Sequence, residues 1–142
     1  MNTLELLEPE RISTRTNDVV LLPYGLLGFE RVKNYSLLAK PAQDPYLWLQ
    51  MLEEAKHAFL VLPPSAILAN YQPDFEYEDV EFLELNETAD ALILNIVTMR
   101  ESGPATVNLK GPIVINRRTW IGKQVIPNNA AQYPTRHPLS FS

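Results

Sequence analysis

The sequence contains no cysteine and only two histidines. Without cysteine there can be no disulfide, thiol nucleophile, Fe–S cluster or thiolate zinc site. The histidines offer little in their place. His57 follows Glu54 in a Glu-x-x-His spacing. A di-iron carboxylate site needs that motif twice, with further carboxylates. His137 sits beside Arg136, with no acid nearby to orient it as a catalytic base. No metal or cofactor site is expected.

Glycine is also scarce. The five, Gly25, Gly28, Gly103, Gly111 and Gly122, form neither a dinucleotide fingerprint nor a P-loop. Gly25-Leu26-Leu27-Gly28 reads instead as turn chemistry after Pro23. No long apolar run is present. The longest, Ala91 to Met99, is interrupted by Asn95 and Thr98 and is far short of the ~20 residues that span a bilayer. Met1-Asn2-Thr3-Leu4-Glu5 has neither a basic nor an apolar leader region, so no secretory signal is expected. The reading is a cytoplasmic protein with no membrane contact.

Charge of one sign is missing from two long stretches. Between Lys56 and Arg100 there is no Lys or Arg, but there are eight acids: Asp74, Glu76, Glu78, Asp79, Glu81, Glu84, Glu87 and Asp90. After Glu101 there is no acid, but there are five bases: Lys110, Arg117, Arg118, Lys123 and Arg136. Folding can interleave the two stretches and cancel the asymmetry. Alternatively, the acids form a surface that meets a basic partner. The net charge of −5 argues against direct nucleic-acid binding. Trp120 and Tyr133 among the C-terminal bases make only a sparse basic-plus-aromatic pattern.

What is present points to strands. The chain of 142 residues, 46% hydrophobic, fits one domain that buries roughly 68–70% of its unfolded surface. Twelve prolines disfavour long helices. Thr106 to Asn116 alternates, with Val107, Leu109, Gly111, Ile113 and Ile115 on one face and Thr106, Asn108, Lys110 and Asn116 on the other, where only Pro112 and Val114 dilute the polarity. That period of two predicts one strand, buried on its odd face and wet on its even face. Pro112 places it at an edge or a bulge. Ala91–Met99 is apolar on both faces and should be central. Asp18–Leu22, Tyr35–Leu38, Tyr46–Leu52, Ala58–Leu62 and Trp120–Ile126 are further strands, with Leu4–Leu7 a possible addition. Ser65 can cap a single turn through Leu68. Glu78–Leu85 reads as a short helix burying Val80, Phe82 and Leu83.

No crossover helix is long enough for βαβ units. The fold class expected is therefore mainly β: a compact antiparallel β-barrel or roll-like single domain, with one or two short helices. The domain runs over residues 1–132, with 133–142 as a loose C-terminal tail.

Clustered acids with no base among them are usually a solvated face, so the chain is not expected to be an enzyme. Two alternatives stand beside a binding role. One is a small acidic-cleft hydrolase, because carboxylate pairs are plentiful. The other is a purely structural oligomerising subunit.

Four segments together resemble the flagellar assembly factor (FliW) family. They are Gly25-Leu26-Leu27-Gly28-Phe29-Glu30, Tyr46-Leu47-Trp48-Leu49-Gln50, Val107 through Asn116, and Gly122-Lys123-Gln124-Val125. Tyr133-Pro134-Thr135-Arg136-His137-Pro138 is similar too, and the order and spacing cover nearly the whole chain. The resemblance implies a barrel-like β fold, no enzymatic activity and two protein partners. These are flagellin and CsrA, the RNA-binding translational repressor also called the carbon storage regulator. It implies a partner switch: the free protein sequesters the repressor, and flagellin takes the protein away.

A repressor that binds RNA must carry basic surface. The expected contact residues on this chain are therefore Tyr71, Asp74, Glu76, Glu78 and Asp79, in the acidic segment with its interleaved aromatics. Asn108 and Lys110, on a polar edge, are the alternative docking point.

Overall fold

The computed structural model describes residues 19–53, 57–64, 68 and 70–139. The Leu4–Leu7 strand, the Ser65 cap and Glu54 lie outside them. The strands are β1 (Val19–Leu21), β2 (Asn34–Ala39), β3 (Leu47–Met51), β4 (Ala58–Leu62), β5 (Ala91–Thr98), β6 (Thr106–Val107), β7 (Ile113–Asn116), β8 (Gly122–Gln124) and β9 (His137–Pro138). Among the described residues there is one α-helix, α1 (Tyr77–Phe82), which precedes β5.

Strands β1 to β5 form an antiparallel meander, each pairing with the next. At β5 the sheet divides. Ala91–Leu94 pairs with β7, while Val97–Thr98 pairs with β6. Strand β7 pairs with β8. A parallel bridge between Leu21 and Ile121 brings β8 back to β1, and Leu21 N–H donates to the Trp120 carbonyl at 3.0 Å. The ring β1-β2-β3-β4-β5-β7-β8 is thus a nearly closed barrel, which leaves few unpaired edges.

Alternation along β5 serves two cores. Leu94, with Leu92 and Ile96, faces a cluster built on Leu22, Tyr35, Leu49, Met51 and Ile113 inside the barrel. Val97 and Ile93 face a second cluster, with Leu62, Tyr71, Val107, Leu109 and Leu139. Strand β5 is covered on both faces, as its apolar pattern predicts. Tyr35 is fully buried in the first cluster, and burial raises its phenol pKa to about 12.

Two expectations need correction. Thr106–Asn116 is two strands, not one, and β7 is buried on both faces. Asn108 causes the break. Its side-chain oxygen accepts hydrogen bonds from the Lys110 and Gly111 N–H groups at 2.9 and 3.0 Å. These donors are satisfied in a turn and not in a ladder. The chain end is not loose over Tyr133–Leu139. Strand β9 pairs with β6, Leu139 is buried, and Tyr133 packs edge-on against Tyr71 at 4.7 Å.

Candidate partner-binding surfaces

The acidic segment folds around α1. Glu78 and Asp79 lie in the first turn, where carboxylates suit the positive end of the helix dipole. The helix stops at Leu83–Glu84, where Glu84 takes a left-handed φ of 54°. The freed carbonyls find donors across the fold. Asn116 Nδ2 donates to the Leu83 and Glu84 carbonyls at 2.7 and 3.2 Å, and an Arg118 guanidinium N–H donates to Glu84 at 2.6 Å. This satisfies helix-end groups that would otherwise lack partners.

Folding cancels part of the charge asymmetry. Lys123 Nζ on β8 lies 2.5 Å from the Asp79 carboxylate. Arg118 Nε lies 3.1 Å from Asp90, whose other oxygen accepts from the Asn86 and Glu87 N–H groups. The Arg118 hydrogen bond, followed by the Asn86 N–H, holds the Asp90 carboxyl below its ordinary pKa. The other six acids, Asp74, Glu76, Glu78, Glu81, Glu84 and Glu87, are exposed. The segment therefore presents a net negative surface over a neutralised base.

The expected contact residues divide accordingly. Asp74, Glu76 and Glu78 are exposed around the start of α1. Asp79 is 7% exposed and paired, so it belongs to the scaffold. Tyr71 is 8% exposed and donates to the Leu109 carbonyl at 2.6 Å. It is a core residue, and the expectation of an aromatic anchor there is corrected. Asn108 and Lys110 lie together in the half-buried turn between β6 and β7. They are separate from the acidic residues in sequence and in secondary structure.

The α1 face also departs from expectation. Phe82 is 37% exposed and Asp79 is buried, whereas Leu83 is buried as its sequence pattern predicts. Phe82 packs on Tyr24 at 5.2 Å between ring centroids. Lys123 Nζ lies over both rings, 5.3 Å from Tyr24 and 5.8 Å from Phe82, within cation–π range. Tyr77 is 75% exposed on the same helix. Tyr24, Tyr77 and Phe82 thus put aromatic surface beside the free acids. Tyr24 and Lys123 escape a reading of the sequence because they lie far from α1 along the chain, on the turn after β1 and on β8.

Val80 of α1 lines a cleft of about 470 Å³ together with Phe75, Leu85 and Ile93 among others. Among the described residues there is no cluster of three or more His, Asp or Glu side chains that could hold a metal ion. No helix among them is long and apolar enough to cross a membrane.

The model of the FliW protein family matches residues 5–139. The chain belongs to the FliW family of flagellar assembly factors. The flagellar assembly factor FliW of Leptospira interrogans is 36% identical over 121 residues, 84% of this chain and 81% of that protein. That of Natranaerobius thermophilus is 35% identical over 130 residues, covering 90% and 85%. The Bacillus subtilis protein is 28% identical over 130 residues, covering 91% and 90%. A crystal structure of the flagellar assembly factor FliW superposes with a TM-score of 0.81 at 30% identity, over 92% of each chain. The FliW match spans the barrel, α1 and every candidate contact residue named above.

Proposed function

We propose that this FliW-family chain is a cytoplasmic, non-enzymatic regulator that binds flagellin and sequesters the translational repressor CsrA, relieving repression of flagellin translation. Family membership supports the role in flagellar assembly. The observation that carries the repressor contact is the set of exposed acids left after Asp79 and Asp90 are paired. Among the described residues, Asp74, Glu76 and Glu78 make no ion pair, and they lie beside exposed Tyr77. A basic RNA-binding surface is complementary to this face, and complementary charge speeds encounter and fixes orientation. Tyr77 adds amphipathic aromatic contact area of the kind that anchors interfaces.

Single exposed charges contribute roughly 0.2–1 kcal/mol, so the test reverses three together: Asp74→Lys, Glu76→Lys and Glu78→Lys. All three are exposed, and Asp79 is left in place because Lys123 depends on it. The expected result is a folded variant that associates more slowly with the repressor and shows a weaker salt dependence. Wild-type affinity and association rate in that variant would refute the acidic-face contact. Flagellin, docking on apolar surface, should bind with little salt dependence. A steep loss of flagellin affinity with rising salt would place its contact among the charges instead.

A further inference from the structure

Residues of the turn after β1 and of β4, β5, β6 and β8 line a groove of about 630 Å³, within the usual range of roughly 300–1,000 Å³ for a ligand-sized site. Leu26, Leu27, Phe59 and Ile96 supply its apolar lining. Among the described residues only two charged side chains line it, and both are cations: Arg100 and Arg136. Among the described residues, neither guanidinium makes an ion pair. The walls are held in place independently of any ligand. The Gln124 side-chain oxygen accepts from Leu27 N–H at 3.0 Å, and its amide nitrogen donates to the Gly111 carbonyl at 3.0 Å. Phe59 is braced edge-on by Phe29, with 5.2 Å between centroids.

We propose that this groove docks an extended peptide segment of a protein partner in which an acidic side chain stands beside a large apolar one. Charge complementarity selects the occupant. Guanidinium groups engage carboxylates in paired, charge-assisted hydrogen bonds, and no carboxylate among the described residues lines the groove to compete. The apolar lining removes a large side chain from water. The hydroxyls of Thr98 and Thr135, also lining the groove, are suited to the polar backbone of an extended segment. Nucleic acid is disfavoured because two cations on an apolar floor neutralise few phosphates. The groove shares no lining residue with the acidic face of α1. The chain then carries two docking surfaces of opposite preference, one for a basic partner and one for an acidic segment.

The test is selection from a library of acetylated, amidated hexapeptides that randomises Asp, Glu, Leu, Ile, Phe, Ser and Lys, on the full immobilised chain. The Arg100→Glu, Arg136→Glu double variant serves as the counter-target. Both arginines are exposed, so the double variant should melt like wild type. Wild type should enrich peptides pairing an acid with a large apolar residue. The best peptide should lose at least tenfold affinity on the double variant. Leu27→Ser, at a residue 70% exposed, should weaken the same peptide severalfold without changing its salt dependence. Absence of enrichment over the double variant would overturn the proposal. So would displacement of the peptide by equimolar inorganic phosphate or oligouridylate, or enrichment confined to a parallel library with free C-terminal carboxylates.

Discussion

Lys123 on β8 reaches back 44 positions to the Asp79 carboxylate on α1, at 2.5 Å. The same ammonium caps the Tyr24 and Phe82 rings. One cation thereby fixes the acidic helix to the barrel and to the turn after β1. The pair is largely buried on the aspartate side, with side-chain exposures of 29% for Lys123 and 9% for Asp79. Removing the lysine leaves a desolvated carboxylate without its partner, which costs more than removing both groups. Lys123→Met should lower unfolding free energy by about 1–3 kcal/mol. The double variant with Asp79→Leu should recover part of that loss. Urea midpoints of the two single variants and the double variant close the cycle, and strict additivity would show that the two groups do not interact.

The turn between β6 and β7 gives a second comparison. Ile113 is fully buried inside the barrel, so Ile113→Asp introduces an unpaired buried charge and should unfold the domain. Asn108→Ala should also be destabilising, though less so. Its side chain satisfies the Lys110 and Gly111 N–H groups, and losing a cap of this kind costs about 0.5–2 kcal/mol. Lys110→Ala removes no bond of the turn and should melt within a degree or two of wild type. Thermal melts rank the three, and an Asn108→Ala midpoint equal to that of Lys110→Ala would mean that the turn does not depend on the amide.

The same turn marks where the sequence is legible and where it is not. Ala58–Leu62 reads as a strand from its apolar run, and β4 occupies those residues. The two-faced apolar pattern of Ala91–Met99 corresponds to a strand with neighbours on both edges and cores on both faces. Period two extends through Asn108–Gly111, with Pro112 the one sign of a break, yet the chain turns there, because a side-chain acceptor competes locally with the ladder. Periodicity reports which residues are apolar and does not register that competition. The charge pairs were hidden for another reason. Asp90 and Arg118 are 28 positions apart, and the pairing of β5 with β7, with Ala91 opposite Asn116, brings them together. Likewise, Phe82 was expected inside α1 and Asp79 outside. Beside a helix of six residues, the long-range Lys123 pair holds Asp79 inward, and Leu83 stays buried in the apolar cluster with Val114 and Val125.

Two glycines in one turn should respond differently to the same change. Gly25 has φ +65°, and an added Cβ would lie 2.6 Å from both the Glu30 Cα and the Phe29 carbonyl oxygen. Gly28 has φ +90° with nothing within 4 Å of that position. Both substitutions carry the cost of a left-handed conformation, roughly 1–2 kcal/mol, but only the first also drives a methyl into backbone. Gly25→Ala should therefore lower the melting temperature several degrees further than Gly28→Ala. Equal melting temperatures would show that the turn relaxes freely around Gly25.

Asp90 links the acidic segment to pH. In the folded chain its pKa lies below the ordinary value of 3.8, first through the Arg118 hydrogen bond and then through the Asn86 N–H. A group whose folded pKa is depressed binds protons more readily in the unfolded chain. Its stabilising contribution is complete above the unfolded pKa and is lost as pH falls through the folded value. The expected signature is a difference in melting temperature between wild type and Asp90→Asn that stays constant above about pH 5. The difference should shrink as pH drops below 3.8. Glu30 and Glu53 are also held below their ordinary values by backbone N–H donors, so wild type alone loses stability in acid for several reasons. Subtracting the Asp90→Asn curve removes those shared contributions. Melting curves recorded from pH 7 to pH 2.5 at fixed ionic strength provide the measurement. A difference that stays flat through the acid limb would mean that Asp90 titrates alike in the folded and unfolded chains, and that its pairing with Arg118 adds no pH-dependent stability.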